Sequence, residues 1–276
     1  MQCAAAVAQD PDSEQPGPNE GYEALPEITG RLNCRLSVEG RHEKHMRYTI
    51  MGSLAILIIL TYSTATHLRN AIWHDPETLG YDTIKKSPGK GRVYYNLGNY
   101  FAAQDRIDDA IEQFQAAVRV RPNSEEYNNL GLAYESKGMV DTAVEMFRMA
   151  IRWDAANAEA YNNLGKVYLL YQNRIEDAMM LFNKAIELRP DSIDASINLA
   201  AAHIRGRRFH DAVPILETAL AKEPGRADAH YNLGIAYHCL GNAGASNKEV
   251  EILRGNGSPL ADRLERFMGR PCDRGR

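Results

Sequence analysis

The stretch Tyr127–Gly131 reads YNNLG, and the same five residues return at Tyr161–Gly165. Near copies stand at Tyr94–Gly98 (YYNLG) and His230–Gly234 (HYNLG). Worked outward from these phrases, the chain from Gly91 onward is a tandem array. Leu97, Leu130, Leu164, Leu199 and Leu233 are spaced 33, 34, 35 and 34 residues apart. A small residue follows each leucine: Gly98, Gly131, Gly165, Ala200, Gly234. Three residues later comes a ring: Phe101, Tyr134, Tyr168, His203, Tyr237. An alanine and a large apolar residue come next, at Ala110/Phe114, Ala143/Phe147, Ala178/Phe182 and Ala212/Leu216. A second alanine and, in three units, a proline (Pro122, Pro190, Pro224) close the repeat; the second unit has Ala155 there.

This pattern resembles the tetratricopeptide repeat, W-x2-L-G-x2-Y then A-x3-F then P over 34 residues. The resemblance covers residues 91 to about 254 and predicts an all-α, right-handed superhelix of helix-turn-helix units. The periodicity agrees. Each unit holds two stretches with apolar residues at helical spacing, such as Val93–Gln104 and Ile107–Val120. The glycine lets the two helices of a pair approach, and the proline ends the second helix. Five units are expected: 91–123, 124–157, 158–192, 193–226 and 227–254. The third carries one extra residue in its turn, Tyr171–Ile175, and the fifth decays, with Ser246 and Val250 at the alanine and phenylalanine positions. A capping helix is expected over 255–269, where Leu260, Leu264, Phe267 and Met268 share a face, and a disordered tail over 270–276.

Ahead of the array, residues 1–46 contain PDSEQPGPNEG without apolar periodicity and read as a disordered tail. From Tyr48 to Thr66 run nineteen uncharged residues, YTIMGSLAILIILTYSTAT. A transmembrane helix is expected over 47–68, because ~20 apolar residues span a bilayer. Its only polar atoms are hydroxyls, which can bond back to the helix backbone. Arg31, Arg35, Arg41, Lys44 and Arg47 precede the span, against Arg69, Lys85 and Lys86 after it. That bias predicts a single-pass protein with a cytoplasmic N-terminus and the array in a periplasm or lumen. Residues 69–90 form a junction with a short helix that starts at Asp75-Pro76 and stops at Ser87-Pro88-Gly89.

The chain has 276 residues, a formal charge of −4 and four scattered cysteines. Nothing in that balance points to nucleic acid. No CxxC pair marks a zinc site, and no cofactor is implied. Cys239 and Cys272 could meet if the C-terminus folds back, but free thiols are the expectation. His203 stands at the ring position and His230 at the tryptophan position, so both read as packed rings rather than metal ligands. Asp108, Asp109, Glu176 and Asp177 begin second helices, where acids favour the helix dipole. Arg205, Arg207 and Arg208 form a basic edge read as a solvated turn. There is no P-loop and no GxSxG, so the chain reads as a non-enzyme.

The residue before every leucine is asparagine: Asn96, Asn129, Asn163, Asn198 and Asn232. The family resemblance places it on the concave inner surface, with Asn99, Asn128, Asn162 and Lys166 nearby. Such a ladder is similar to that of the O-GlcNAc transferases. An amide has donors and an acceptor for a peptide backbone; the same asparagines could equally serve packing between repeats. First helices ~10 Å apart and a strand advancing ~3.3 Å per residue would meet at about every third residue. On the binding reading, alanine at both Asn129 and Asn163 weakens partner binding with little change in melting. The positions of a basic clamp for a C-terminal carboxylate hold Tyr95, Asn128, Glu159 and Asn163 instead. The groove is expected to be polar and weakly charged.

Finally, Arg69-Asn70, Trp73, Leu79 and Ser87-Pro88 resemble the last span and junction of the transmembrane-and-TPR O-mannosyltransferases. That family's catalytic acids lie in an early extracytoplasmic loop that this chain lacks. Two functions follow: a membrane-anchored scaffold that binds an extended peptide segment, or the non-catalytic arm of a protein glycosyltransferase, docked to a polytopic membrane partner.

Overall fold

A computed structural model describes residues 46–67 and 75–272. The disordered tails expected at 1–46 and 270–276 lie, but for Met46 and residues 270–272, outside the described residues. So does the junction up to residue 74. Among the described residues there are thirteen helices and no strand. They divide into two compact units that part at His74 and Asp75.

The first unit contributes α1, Met46–His67, which is long and apolar enough to cross a membrane. None of its apolar window is buried within the protein. Its hydroxyls are spent on its own backbone: Ser53 donates to the Thr49 carbonyl at 2.9 Å, Thr64 to Leu60 at 2.9 Å and Thr66 to Tyr62 at 2.7 Å. With those bonds made, these hydroxyls need no water inside an apolar layer, and the charged Arg47 and the imidazole of His67 stand at the two ends of the helix.

The second unit begins with α2 (Pro76–Lys86), capped by the Asp75 carboxylate over the Glu77 and Thr78 amides. Five helix pairs follow: α3/α4 (Gly91–Ala103, Ile107–Val120), α5/α6 (Ser124–Ser136, Val140–Trp153), α7/α8 (Ala158–Leu170, Ile175–Leu188), α9/α10 (Ile193–Arg205, Phe209–Lys222) and α11/α12 (Ala227–Cys239, Ala243–Gly255). The last helix is α13, Leu260–Met268. Each helix packs on its chain neighbour, and first helices of adjacent pairs also touch. No pair can bury its own apolar face, so stacking supplies the core.

The repeated phrase is explained by one contact. Phe114, Phe147 and Phe182 are almost wholly buried. A β-carbon at Gly98, Gly131 or Gly165 would lie 2.5, 2.7 or 2.6 Å from the ring of the matching phenylalanine. In the fourth pair the small residue is Ala200, and the ring is replaced by Leu216. In the fifth, Val250 is too short to reach Gly234, and Leu264 of α13 takes the space. Ser246, at the alanine position, is buried and donates to the Gly234 carbonyl at 2.8 Å.

The turn inside each pair holds one left-handed residue: Asp105, Gly138, Asn173, Arg207 and Gly241. First helices α5, α7 and α9 are capped by Asn123, Asn157 and Ser192 side chains.

Two findings depart from expectation. Cys239 and Cys272 form a disulfide across 33 residues, in place of free thiols. The chain after α13 does fold back onto α11, which periodicity alone does not reveal. And α2 is a packed part of the solenoid rather than a mere junction: Gly80 lies against Leu97, and Glu77 pairs with Arg106 at 2.7 Å.

Candidate functional site

The five asparagines fall on the first helices α3, α5, α7, α9 and α11, one helical position ahead of a buried leucine. They are not equivalent. Asn96 is exposed, Asn129, Asn198 and Asn232 are half-buried, and Asn163 is buried. Their amides reach back to the preceding repeat. Asn129 donates to the Tyr95 hydroxyl and to Asn99 Oδ1, both at 3.1 Å. Asn163 donates to Asn128 Oδ1 at 3.0 Å, and Asn198 to Asn162 Oδ1 at 2.9 Å. The acceptors Tyr95, Asn128 and Asn162 each stand one residue before the previous ladder asparagine. For Asn232 of the fifth repeat that place is Ile197 of the fourth, which offers no side-chain acceptor. Asn232 makes no side-chain hydrogen bond among the described residues, and neither does Asn96.

Of the flanking candidates, Asn128 is only 2% exposed; it donates to Glu159 at 3.4 Å and belongs to the seam between repeats. Asn99, Asn162 and Lys166 remain at the surface. The seam revises one expectation. Alanine at Asn129 and Asn163 removes three inter-repeat hydrogen bonds, so melting falls along with any loss of binding.

A polar cavity of about 470 Å³ opens along α7, α9 and α11. Asn162, Asn163, Lys166 and Asn198 line it together with Glu159, Asp194 and Asp228. The carboxamide oxygens of Asn163 and Asn198 accept no hydrogen bond there. The first helices therefore bring Asn162, Asn163, Asn198 and Lys166 to one opening. Asn96 lies apart, in a smaller recess of about 240 Å³ between α2 and α3.

One row of side chains escaped the sequence reading. One turn before the ladder asparagine stand Glu125, Glu159, Asp194 and Asp228, with Arg92 in the first unit. The signal was available as an acid four residues before four of the five asparagines. Arg226 grips Asp194 at 2.7 Å and Asp228 at 2.9 Å, and holds the Asp228 carboxyl below its ordinary range. Lys166 and Arg189 face the same cavity. The opening is polar and mixed in sign. Burial, with the Glu125 carboxylate accepting from Tyr95 at 2.6 Å, pushes the Tyr95 phenol up and keeps it a donor.

His203 and His230 sit as packed rings. Burial lowers the His203 imidazole, whose nearest acid is Asp211 at 3.7 Å, beyond hydrogen-bond range. His230 is buried, with Nδ1 2.6 Å from Glu249 and Nε2 2.9 Å from the Pro224 carbonyl. The basic edge is engaged across the stack: Arg205 donates to Asn173 and Arg208 to Glu176.

Known proteins bear on this architecture. Family models described as tetratricopeptide repeat match residues 95–157, 158–192 and 197–246, together just over half of the chain. The protein O-mannosyl-transferase TMTC3 of Mus musculus is 24% identical over 196 residues, covering 66% of this chain. The chain spans about a fifth of the length of that curated relative, 21%. Among solved structures, PilW, a type IV pilus biogenesis factor, superposes with a TM-score of 0.63 at 18% identity, over 73% of this chain and 94% of that one. YrrB, described as a TPR protein with an unusual peptide-binding site, superposes at 0.54 and 20% identity, over 68% and 97%.

Proposed function

This chain belongs to the tetratricopeptide-repeat family, and from that premise we propose that it is a membrane-anchored scaffold whose inner face receives an extended segment of a partner polypeptide. The observation that carries the reading is the polar cavity along α7, α9 and α11, where amide oxygens stand ready beside side chains of both signs. A backbone offers N–H donors to Asn163 and Asn198, and these contacts ignore the partner's side chains. Lys166, Glu159 and the unpaired Asn96 and Asn232 supply the rest of the track. The anchor is α1. The Cys239–Cys272 disulfide supports an oxidising compartment for the array, in agreement with the charge bias around the span.

A second reading rests on the relatives that carry the name O-mannosyl-transferase. In it, the array presents acceptor proteins to a separate, polytopic transferase.

Site-specific crosslinkers at Asn96, Lys166 and Asn232 test both, in native membranes. The scaffold reading expects the three positions to label one linear segment of one partner, in order along its sequence. A ladder advancing ~10 Å per repeat against ~3.3 Å per residue puts the outer two labels roughly a dozen residues apart. Labels scattered over a folded surface would sink the extended-segment idea. Labels on a polytopic membrane protein would establish the glycosyltransferase arm instead.

A further inference from the structure

The fourth repeat lacks aromatic rings at positions where its sisters have them, and a cavity lies where they are missing. The fourth residue of the first helix is Tyr94, Tyr127, Tyr161 and His230 in four units, but Ser196 in α9. In the second unit the Tyr127 ring stacks on Trp153, the last residue of α6, with centroids 6.4 Å apart and planes 23° apart. The residue that ends α10 in the same register is Lys222, so both partners of that stack are absent from the fourth unit. Ser196 and Lys222 both line an opening of about 450 Å³ between α8 and α10, with α9 as its floor. Ile186, Leu199 and Ile215 give it apolar walls, and Asn183 stands among them.

Asn183 carries an independent signal. It is the ninth residue of its helix. The ninth residues of α4, α6 and α10 each bond the hydroxyl of a tyrosine in the following first helix. Gln115 meets Tyr134 at 2.6 Å, Arg148 meets Tyr168 at 2.6 Å, and Glu217 meets Tyr237 at 2.7 Å. The hydroxyl that would meet Asn183 is missing, because the eleventh residue of α9 is His203. The side chain of Asn183, exposed at the mouth of the opening, makes no hydrogen bond among the described residues. One cavity thus combines the space of deleted rings with an amide whose sisters hold phenols.

We propose that this opening binds the side chain of a tyrosine carried by a partner polypeptide: the ring between Ile186, Leu199 and Ile215, the hydroxyl on Asn183. Burial of the ring supplies the affinity. Exchanging water for the phenol hydroxyl on the exposed Asn183 amide adds a modest, several-fold preference for a phenol over a saturated ring. Ser196, Leu199 and Ile193 line this opening, whereas Asp194 and Asn198 line the polar cavity, so the two sites use different faces of α9. The proposal stands independently of the asparagine track.

The test uses the full chain in lipid nanodiscs and N-acetyl-3-fluorotyrosinamide as the probe, read by 19F line broadening. Saturable broadening with a Kd on the order of 1 mM is expected for one ring. Ser196→Tyr fills the space from within and should weaken binding at least tenfold, as should Lys222→Trp, provided circular dichroism shows the parent helix content. Asn183→Leu should weaken it several-fold. In the unaltered chain, N-acetyl-cyclohexylalaninamide should compete several-fold more weakly than unlabelled N-acetyl-tyrosinamide, an arm that needs no variant. Broadening unchanged by either ring-filling substitution, or competition by the saturated analogue equal to that of N-acetyl-tyrosinamide, would overturn the site. Binding of free 4-fluorophenol without binding of the tyrosinamide would overturn the polypeptide source.

Discussion

Three residues before the ladder asparagine, the last three repeats carry Ala160, Ala195 and Ala229, each fully buried. The second repeat carries Glu126 there, 6% exposed, with Oε2 lacking any hydrogen-bond partner. Burial pushes its carboxyl above the ordinary 4.5, Glu125 adds to the push, and Arg121 and Arg92 oppose it. The folded state therefore holds this proton to a higher pH than the unfolded chain does. Its contribution to stability falls as pH rises from about 4.5 through the raised value, and stays low above it. Glu126→Ala should stabilise the protein at pH 7 by on the order of 1 kcal/mol, the cost of a buried polar group left unpaired. The gain should shrink toward pH 4. Paired thermal melts of parent and variant across that range check it; a constant difference, or a destabilised variant at pH 7, refutes it. The same scale shows the limit of sequence reading at the ladder. Helical spacing put Asn129 and Asn163 on the right helices. It could not show that Tyr95 and Asn128, some 35 residues earlier, sit close enough to take their amide protons.

At the scale of the helix pair, the glycine and the phenylalanine form one unit of packing. Gly131→Ala places a methyl against the buried Phe147 ring and should cost about 1–3 kcal/mol through overpacking. The fourth repeat already contains the remedy, Ala200 facing Leu216. The double variant Gly131→Ala/Phe147→Leu should therefore be more stable than additivity predicts, with a coupling of about 1 kcal/mol in a denaturant double-mutant cycle. Strict additivity would mean that the two residues do not share the space. The turn offers a second check. Gly138 sits at φ +79°, so Gly138→Ala should cost about 1 kcal/mol, and Gly138→Asn less, since Asn173 occupies the same turn position at φ +50°. Helix pairs were legible because these demands recur every 33 to 35 residues. The packing role of α2 was not, because it occurs once and has no second copy to align. The missing ring at Ser196 and the missing phenol hydroxyl at His203 were in plain view, but only the fold shows that Asn183 and Lys222 line the same opening.

A stack of repeats has two ends, and each end must cover an apolar face. In the second unit, α2 closes the first pair through Gly80 on Leu97, and α13 closes the last through Leu264 over Gly234. Pairs such as Arg208–Glu176 at 3.2 Å and Lys222–Asp191 at 3.0 Å run between repeats, but they are exposed and add little. The C-terminal closure has a stronger tie, the disulfide from Cys239 on α11 to Cys272 beyond α13. Closing a loop across 33 residues restricts the unfolded chain by about 3–4 kcal/mol on the chain-entropy account. In a one-dimensional stack that stabilisation is local, because each repeat touches only its neighbours. Cys272→Ser should then raise amide hydrogen exchange in α13, α12 and the end of α11, while α3 to α6 keep their parent protection. Reduction of the parent chain should reproduce the pattern. If protection instead fell equally from α3 to α13, the array would unfold as one cooperative block, and the disulfide would stabilise every repeat rather than hold the cap over Gly234.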